Sequence, residues 1–440
     1  MNDSIILSDF TGDGHFGPLT TLTPASELRC GALSLRTKLA TRLEAKGISN
    51  VCHDPAGPFT VETKTPRRES RNQPSVLLSS RTLLKEEALE VICSTSGDTI
   101  FTGSDQKIVG LRLAAGIDVS RLDLASIVNE SGVSRVTVPA RRVDFPWELD
   151  KWNSDEIVED LALFESIDRG TTPPIPSDVI SRGSENIRAT GDVHLGAGAI
   201  FSAERFHVRL EKGTIISAGA IISAAKGPVW IGENSVIEPG AIIEGPAYIG
   251  DGSIVRAGAR VRGSVSLGRE CRVGGELSNV IMQSFSNKQH SGYLGGAVLG
   301  SWVNLGAATD NSDLKNNYRP IDVTLDGRKF DTGDLHIGVF LGDFVRTAIQ
   351  TRLNSGSAVG TCCNLFGNDF PEKSIPPFIW HGSDGYQEYR LDKAIDTIKI
   401  VLSRRKMEMT PSLEESLNKL FDVTRPARLD FLNKQSRAIN

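Results

Sequence analysis

Ile231 to Val273 reads IGENSVIEPGAIIEGPAYIGDGSIVRAGARVRGSVSLGRECRV. Every sixth position of it is Ile231, Ile237, Ile243, Ile249, Val255, Val261, Leu267 and Val273, an unbroken aliphatic column separated by small and turn-forming residues. A six-residue period fits a parallel β-helix, in which each flat side of a coil is one short strand and one turn. The aliphatic residue points into the interior, and glycine or another small residue fits the tight corner beneath the next coil. Antiparallel strands alternate with period two, which does not hold one column through successive hexads. The register begins earlier, at Leu195, Phe201, Leu210, Ile216 and Ile222, and returns as Leu341, Thr347, Leu353, Val359 and Leu365.

Composition agrees with a local scaffold of this kind. Of the 43 glycines in 440 residues, 27 lie between positions 191 and 365, so the excess belongs to the repeat. The low aromatic share of 6% suits a narrow interior. A formal net charge of −5 leaves no cationic footprint for nucleic acid, and no nucleic-acid partner is expected. Apolar stretches such as TIISAGAIISAA (Thr214–Ala225) fall short of the about 20 residues a membrane span needs. The start, MNDSIILSDF, has no basic segment leading into an apolar core, and six cysteines without CxxC spacing read as reduced, buried thiols; both point to the cytoplasm. His194, His207, His290 and His336 share no coil spacing, so a zinc site of converging histidines is not expected, and no metal is assigned to the coil domain.

The flanks differ from the repeat. Residues 1–165 mix apolar runs such as SIILSDF and PSVLLSS with the helical pattern ALSLRTKLATRLEAKG, which predicts an α/β domain. Residues 166–190, rich in Pro, Gly and Ser, read as a linker, residues 191–366 as the β-helix, and residues 367–440 as a helical extension covering the open end of the stack. In that extension Leu391, Ala394, Ile395, Ile398 and Leu402 share a face, and Thr410 before Pro411 reads as an N-cap and first helical position. Asp326-Gly327 within IDVTLDGRKFDT predicts a hairpin projecting from the coils.

Between Val273 and Leu341 the hexads weaken and polar residues gather, and repeat proteins often carry function at such interruptions. The densest part is NKQHSGYLGGAVLGSWVNLGAATDNSDLKNNY (Asn287–Tyr318). Here the sequence resembles the bacterial bifunctional enzymes that acetylate glucosamine 1-phosphate and then uridylylate it, above all a divergent branch of sugar nucleotidyltransferase-like proteins. The resemblance runs from PLTTLTPASELRCGALSLRTK (Pro18–Lys38) to the C-terminal helices. It implies a nucleotidyltransferase-like α/β domain followed by a left-handed parallel β-helix of hexapeptide repeats, a homotrimer, and acetyl-CoA lying between subunits.

The same resemblance suggests roles. The family frame H-x-x-Y-(I/L)-G, N-(I/L)-G-A and Asn-Tyr falls on His290, Tyr293, Asn304, Ala307, Asn317 and Tyr318. An amine attacking a thioester must lose a proton, and histidine titrates near neutral pH, so His290 is the expected general base. Glu276 would orient it; Tyr293 and Asn304 would hold the sugar; Ala307, Asn317 and Tyr318 would face the acetyl group and cofactor. Lys288 is a candidate for attracting an anionic substrate, and Arg260 or Arg262 for gripping a phosphate. Asp343 stands where the characterised acetyltransferases have a serine near the cofactor, and Ser278 where they have a substrate lysine. In the first domain the G-x-G-T-R-M phosphate loop of sugar nucleotidyltransferases is absent, GDG at Gly12–Gly14 is its nearest fragment, and Ser79 and Ser80 occupy the place of a Mg²⁺-binding aspartate. Arg29 is a candidate phosphate ligand. Mg²⁺ would be needed only if that domain is active.

Three functions remain open on the sequence. The first is N-acetyl transfer to an amino-sugar phosphate or nucleotide sugar. The second is sugar-1-phosphate nucleotidyl transfer, with the β-helix serving oligomerisation. The third is a non-catalytic binding or scaffold protein.

Overall fold

The computed structural model describes residues 4–10, 14–48, 51–53, 75–113, 124–129 and 132–439. By contact the chain divides into two compact units, one made mainly of residues 33–145 and the other mainly of residues 146–440, with short N-terminal pieces assigned to each.

The first unit is the expected α/β layer. Its six-stranded sheet runs, edge to edge, Val51–His53, Ser4–Ser8, Ser75–Ser79, Ile108–Leu113, Thr99–Thr102 and Ser134–Thr137. Alternate side chains of one strand point to opposite faces. Thus Ile5 and Leu7 pack with Leu39 and Leu43 of helix α1 (Leu35–Ala45) and Leu89 and Ile92 of helix α2 (Glu86–Ser94), while Ile6 joins Leu77, Ile100 and Leu111 on the other side, beside helix α3 (Leu124–Asn129).

The second unit is a parallel β-helix. One interior column steps Ile231, Ile249, Leu267, Met282, Leu299, Leu341, Val359, Ile375 by direct strand pairing. A second runs Leu195, Ile216, Ile237, Val255, Val273, Lys288, and a third Phe201, Ile222, Ile243, Val261, Leu277, Leu294. All eight aliphatics of the diagnostic hexads are 0% exposed. Each such Ile, Val or Leu contributes about 1.5–3 kcal/mol by leaving water.

The stack starts earlier than composition suggests. Residues 166–190 contribute strands to it: Ile180–Arg182 pairs with Ile200–Ser202, and Ile187–Ala189 pairs with Val208–Leu210. Helix α4 (Pro146–Ile167) belongs with the coils, its Leu161 and Phe164 packing on Trp230, so the contact boundary falls at Phe145 whereas composition puts it near 165. The weakened register between Val273 and Leu341 is not a break in stacking. The steps Leu267 to Met282 and Met282 to Leu299 are shorter than three hexads, and the long excursion comes only between Leu299 and Leu341.

Within that excursion Asp322–Leu325 and Arg328–Asp331 form the expected hairpin, Leu325 facing Arg328. Asp326 and Gly327 both have positive φ, 50° and 75°, as a two-residue type I′ turn requires. At the C-terminal end, helices α5 (Leu391–Ser403), α6 (Pro411–Val423) and α7 (Arg425–Ile439) follow the last coil. Ala394, Ile398 and Leu402 are the buried face of α5, and Thr410 caps α6 by accepting the Leu413 N–H at 3.2 Å. Phe431 of α7 joins the interior cluster and so covers the terminal coil. Among the described residues no helix is long and apolar enough to cross a membrane.

Candidate functional site

Two corners stacked in neighbouring coils carry His290, Asn304 and Ala307 of the expected site. The lower corner, residues 289–292, rests on Gly274 and Gly275 of the coil beneath. A Cβ on Gly274 would meet the Gln289 carbonyl oxygen at 2.3 Å, and one on Gly275 the Gly292 oxygen at 2.5 Å, so only glycine allows this approach. The upper corner, residues 304–308, sits directly above: the Ala308 N–H donates to the Ser291 carbonyl at 3.0 Å and the Leu305 N–H to the Asn287 carbonyl at 2.9 Å.

His290 leaves the lower corner exposed, and its imidazole makes no hydrogen bond among the described residues. Glu276 begins the next face of the coil beneath, its N–H donating to the Gly292 carbonyl at 3.1 Å. Its carboxylate is engaged by Arg262 at 2.7 Å, not by His290. Arg260 is the strand neighbour of Glu276 and is exposed, so of the two candidate arginines Arg262 makes the acidic contact. In the upper corner the Asn304 side chain and the Ala307 N–H have no hydrogen-bond partner among the described residues, while the Ala307 carbonyl accepts from the Gln350 N–H at 2.7 Å.

Tyr293 pairs with Glu276 across the ladder and is half-buried. Its hydroxyl donates to Asp313 at 3.1 Å, its N–H to Asp310, and burial together with the Asp313 charge raises the phenol above its ordinary range. Asn311 mimics a peptide, accepting the Gly295 N–H and donating to the Gly295 carbonyl, both at 2.8 Å. Asp310, Asn311 and Asp313 were not singled out from the sequence; the polar run DNSD following the Ala-rich corner was their only signal.

Other expected residues lie elsewhere. Lys288 does not face a substrate: it occupies the interior column above Val273 at 1% exposure, because the shortened coil turns it inward. Asn317 and Tyr318 stand on the excursion, Tyr318 at 71% exposure, with no contact to the two corners among the hydrogen bonds of the described residues. Asp343 is a buried corner residue accepting the Ser301 N–H at 2.6 Å, and Ser278 donates to the Arg262 carbonyl at 3.4 Å.

Comparison with known proteins accounts for both parts. Residues 5–168 match the family model described as sugar nucleotidyl transferase, and residues 228–263 match six repeats of the bacterial transferase hexapeptide. The chain joins a sugar nucleotidyl transferase domain to a hexapeptide-repeat, left-handed β-helix domain. Among curated proteins it is similar to a bifunctional sugar-1-phosphate nucleotidylyltransferase/acetyltransferase of Sulfurisphaera tokodaii, 30% identical over 91 residues, 21% of this chain and 23% of that protein. It is also similar to the bifunctional protein GlmU of Methanococcus vannielii, 28% identical over 100 residues, 23% of this chain and 24% of that protein. The chain thus spans less than a quarter of the length of each of these relatives. Among solved structures, UDP-N-acetylglucosamine acyltransferase from Campylobacter jejuni aligns over 56% of this chain and 95% of its own at 14% identity and a TM-score of 0.26. The Arabidopsis UDP-N-acetylglucosamine acyltransferase aligns over 57% and 91% at 13% identity and a TM-score of 0.24.

In the nucleotidyl transferase domain the carboxylates at the strand ends are already neutralised. Arg81, fully buried, pairs with Asp9 at 2.6 Å and Asp144 at 2.8 Å, and Arg142 and Lys107 also hold Asp144. Ser79 and Ser80 are buried beside them. The carboxylates of Asp9 and Asp144 are thus both paired with cationic side chains, and no group of three or more metal-ligating side chains occurs among the described residues. Arg29 donates to the Ala32 carbonyl and lies 5.2 Å from the Tyr248 ring centroid, an intramolecular position rather than that of a phosphate ligand. Gly12 and Asp13 of the GDG fragment lie outside the described residues.

Proposed function

We propose that the chain is an acetyl-CoA-dependent N-acetyltransferase acting on an amino-sugar phosphate or nucleotide sugar, at work as a homotrimer with its chemistry at the two stacked corners. The observation that carries this reading is the stacking of two corners in adjacent coils, joined by the Ala308 N–H to Ser291 carbonyl bond, the lower one bearing the unengaged imidazole of His290 and the upper one the unpartnered Ala307 N–H. Strands of neighbouring coils lie about 4.8 Å apart, so a thioester carbonyl and an attacking amine fit across the two corners.

The acceptor nitrogen attacks the thioester carbon, a C–N bond forms, and the carbonyl pair moves onto oxygen. The Ala307 N–H donates to that oxyanion. His290 takes the proton released by nitrogen and passes it to the leaving thiolate as the C–S bond breaks. Asn304 orients the sugar. Tyr293, held by Asp313, forms a wall of the sugar site instead of a free donor. Purified protein given acetyl-CoA and a panel of hexosamine phosphates is expected to yield the N-acetyl sugar, and His290→Ala to slow it by about 10²-fold or more. An undiminished rate removes His290 from the mechanism.

The match of residues 5–168 to sugar nucleotidyl transferases favours a second reading, nucleotidyl transfer to a sugar 1-phosphate in the first domain. Release of pyrophosphate from a nucleoside triphosphate with Mg²⁺ and sugar phosphate supports it. Silence across the nucleotide panel excludes it.

A further inference from the structure

We propose that Lys288 is the positioning residue of the His290 corner: from inside the coil its ammonium group holds the His290 and Ser291 carbonyls inward, and so fixes the direction in which the imidazole leaves the stack. The proposal rests on the acetyltransferase reading for its kinetic consequence, and on geometry alone for the latch.

The second interior column is aliphatic from Leu195 to Val273, and the next position is Lys288. Its amino group donates to Gly274 O at 3.2 Å, His290 O at 3.1 Å and Ser291 O at 3.3 Å. An ammonium has three donors, and these three acceptors use them all. Among the described residues the Gly274 and His290 carbonyls have no other hydrogen-bond partner, so an aliphatic at 288 would fill the column and leave both unpaired. A buried lysine is a costly way to fill space; burial lowers its pKa to about 8, against a weak opposing pull from Asp310. What it supplies that Val or Leu does not is a three-point tie between one coil and the corner of the next, gripping the two carbonyls that immediately follow the His290 Cα. The Ser291 carbonyl also accepts the Ala308 N–H, so the tie reaches the corner that carries Ala307.

The test uses full-length Lys288→Met, which keeps chain length without donors, and Lys288→Gln, which restores part of the donor set, with Ile216→Val, several coils away in the same column, as control. Hydrogen exchange by mass spectrometry is expected to show segment 287–295 exchanging at least about 10-fold faster in Lys288→Met, less so in Lys288→Gln, with residues 229–267 unchanged. In the acetyl-transfer assay kcat is expected to fall by about 10²-fold while the acceptor KM stays within about 2-fold, because the base is misaimed and the sugar contacts remain. Ile216→Val is expected to move neither readout. Unchanged exchange at the corner overturns the latch, as does acceleration spread evenly over every coil, and a normal kcat with a loosened corner overturns the positioning role. If the unmodified protein transfers no acetyl group, the acetyltransferase reading fails, and the exchange arm still decides whether Lys288 ties the corner.

Discussion

Lys288 also fixes how the stability of the coil domain should respond to pH. Its pKa is about 8 in the fold against 10.5 as the ordinary value, so the unfolded chain binds the proton more tightly than the folded one. Below pH 8 this lysine costs the fold about 3 kcal/mol, at roughly 1.4 kcal/mol per pKa unit. The cost fades as pH rises from 8 towards 10.5, because stability increases with pH wherever the unfolded state holds more protons. Between pH 7 and pH 9.5 the expected gain is roughly 2 kcal/mol. Asp310 is the charged group acting on it, and it opposes the shift. Urea unfolding of the native chain and of Lys288→Met, at equal protein concentration and ionic strength from pH 7 to 9.5, isolates the effect, since other titrating groups are common to both. The difference in unfolding free energy should drift by that amount in favour of the native chain. A flat difference across this interval would mean that the buried amine does not titrate there, and the account of a desolvated ammonium inside the coil would be refuted.

Three further outcomes are expected. Ile243→Ala, at a fully buried interior position, should cost about 2–5 kcal/mol in urea unfolding, and a loss under about 1 kcal/mol would show that the column is not tightly packed. Gly327→Val forces a β-branched residue into φ 75° and should destabilise the hairpin by about 1–2 kcal/mol, read as faster exchange over 322–331 with the coils unaffected; equal exchange in the two proteins would remove the turn requirement. Cys271 and Cys363 are fully buried, with burial pushing their thiols up to about 11 and about 12, so at pH 8 they should react with a disulfide reagent at least about 10²-fold more slowly in the native protein than in denaturant. Immediate native reaction of either would contradict their placement.

What was legible in the sequence follows what burial dictates. The aliphatic hexads, the Asp326-Gly327 turn and the Thr410-Pro411 start of α6 are each fixed by a local rule, and each is found where the rule puts it. Coil length obeys no local rule. The step from Leu267 to Met282 drops three residues from the eighteen-residue coil, and that deletion turns Lys288 inward, although in sequence it reads as a candidate for attracting an anionic substrate. The corners of this region are disguised too. Where other coils use glycine or asparagine, Phe285, Trp302 and Phe344 take positive φ of 64°, 63° and 61°, with Phe285 and Trp302 stacked 4.3 Å apart. An aromatic at a left-handed corner gives no turn signal, so the interrupted rhythm concealed coils that were present. Residues 166–190 misled in the opposite way, because Pro, Gly and Ser mark coil corners as readily as they mark a linker.

The Glu276 to Arg262 pair bears on how the corner works under the acetyltransferase reading. Both side chains are partly exposed, 32% and 57%, and an ion pair so placed is worth at most about 1 kcal/mol. His290 becomes a second cation at the lower corner when it takes the acceptor's proton. Before that moment Arg262 is the stronger partner for the carboxylate; afterwards a second cation competes for it. Giving up Arg262 costs the carboxylate no more than the pair is worth. If Glu276 serves the charged form of His290, Arg262→Met is expected to leave acetyl transfer largely intact and Glu276→Gln to slow it, and an unchanged rate in Glu276→Gln removes that role.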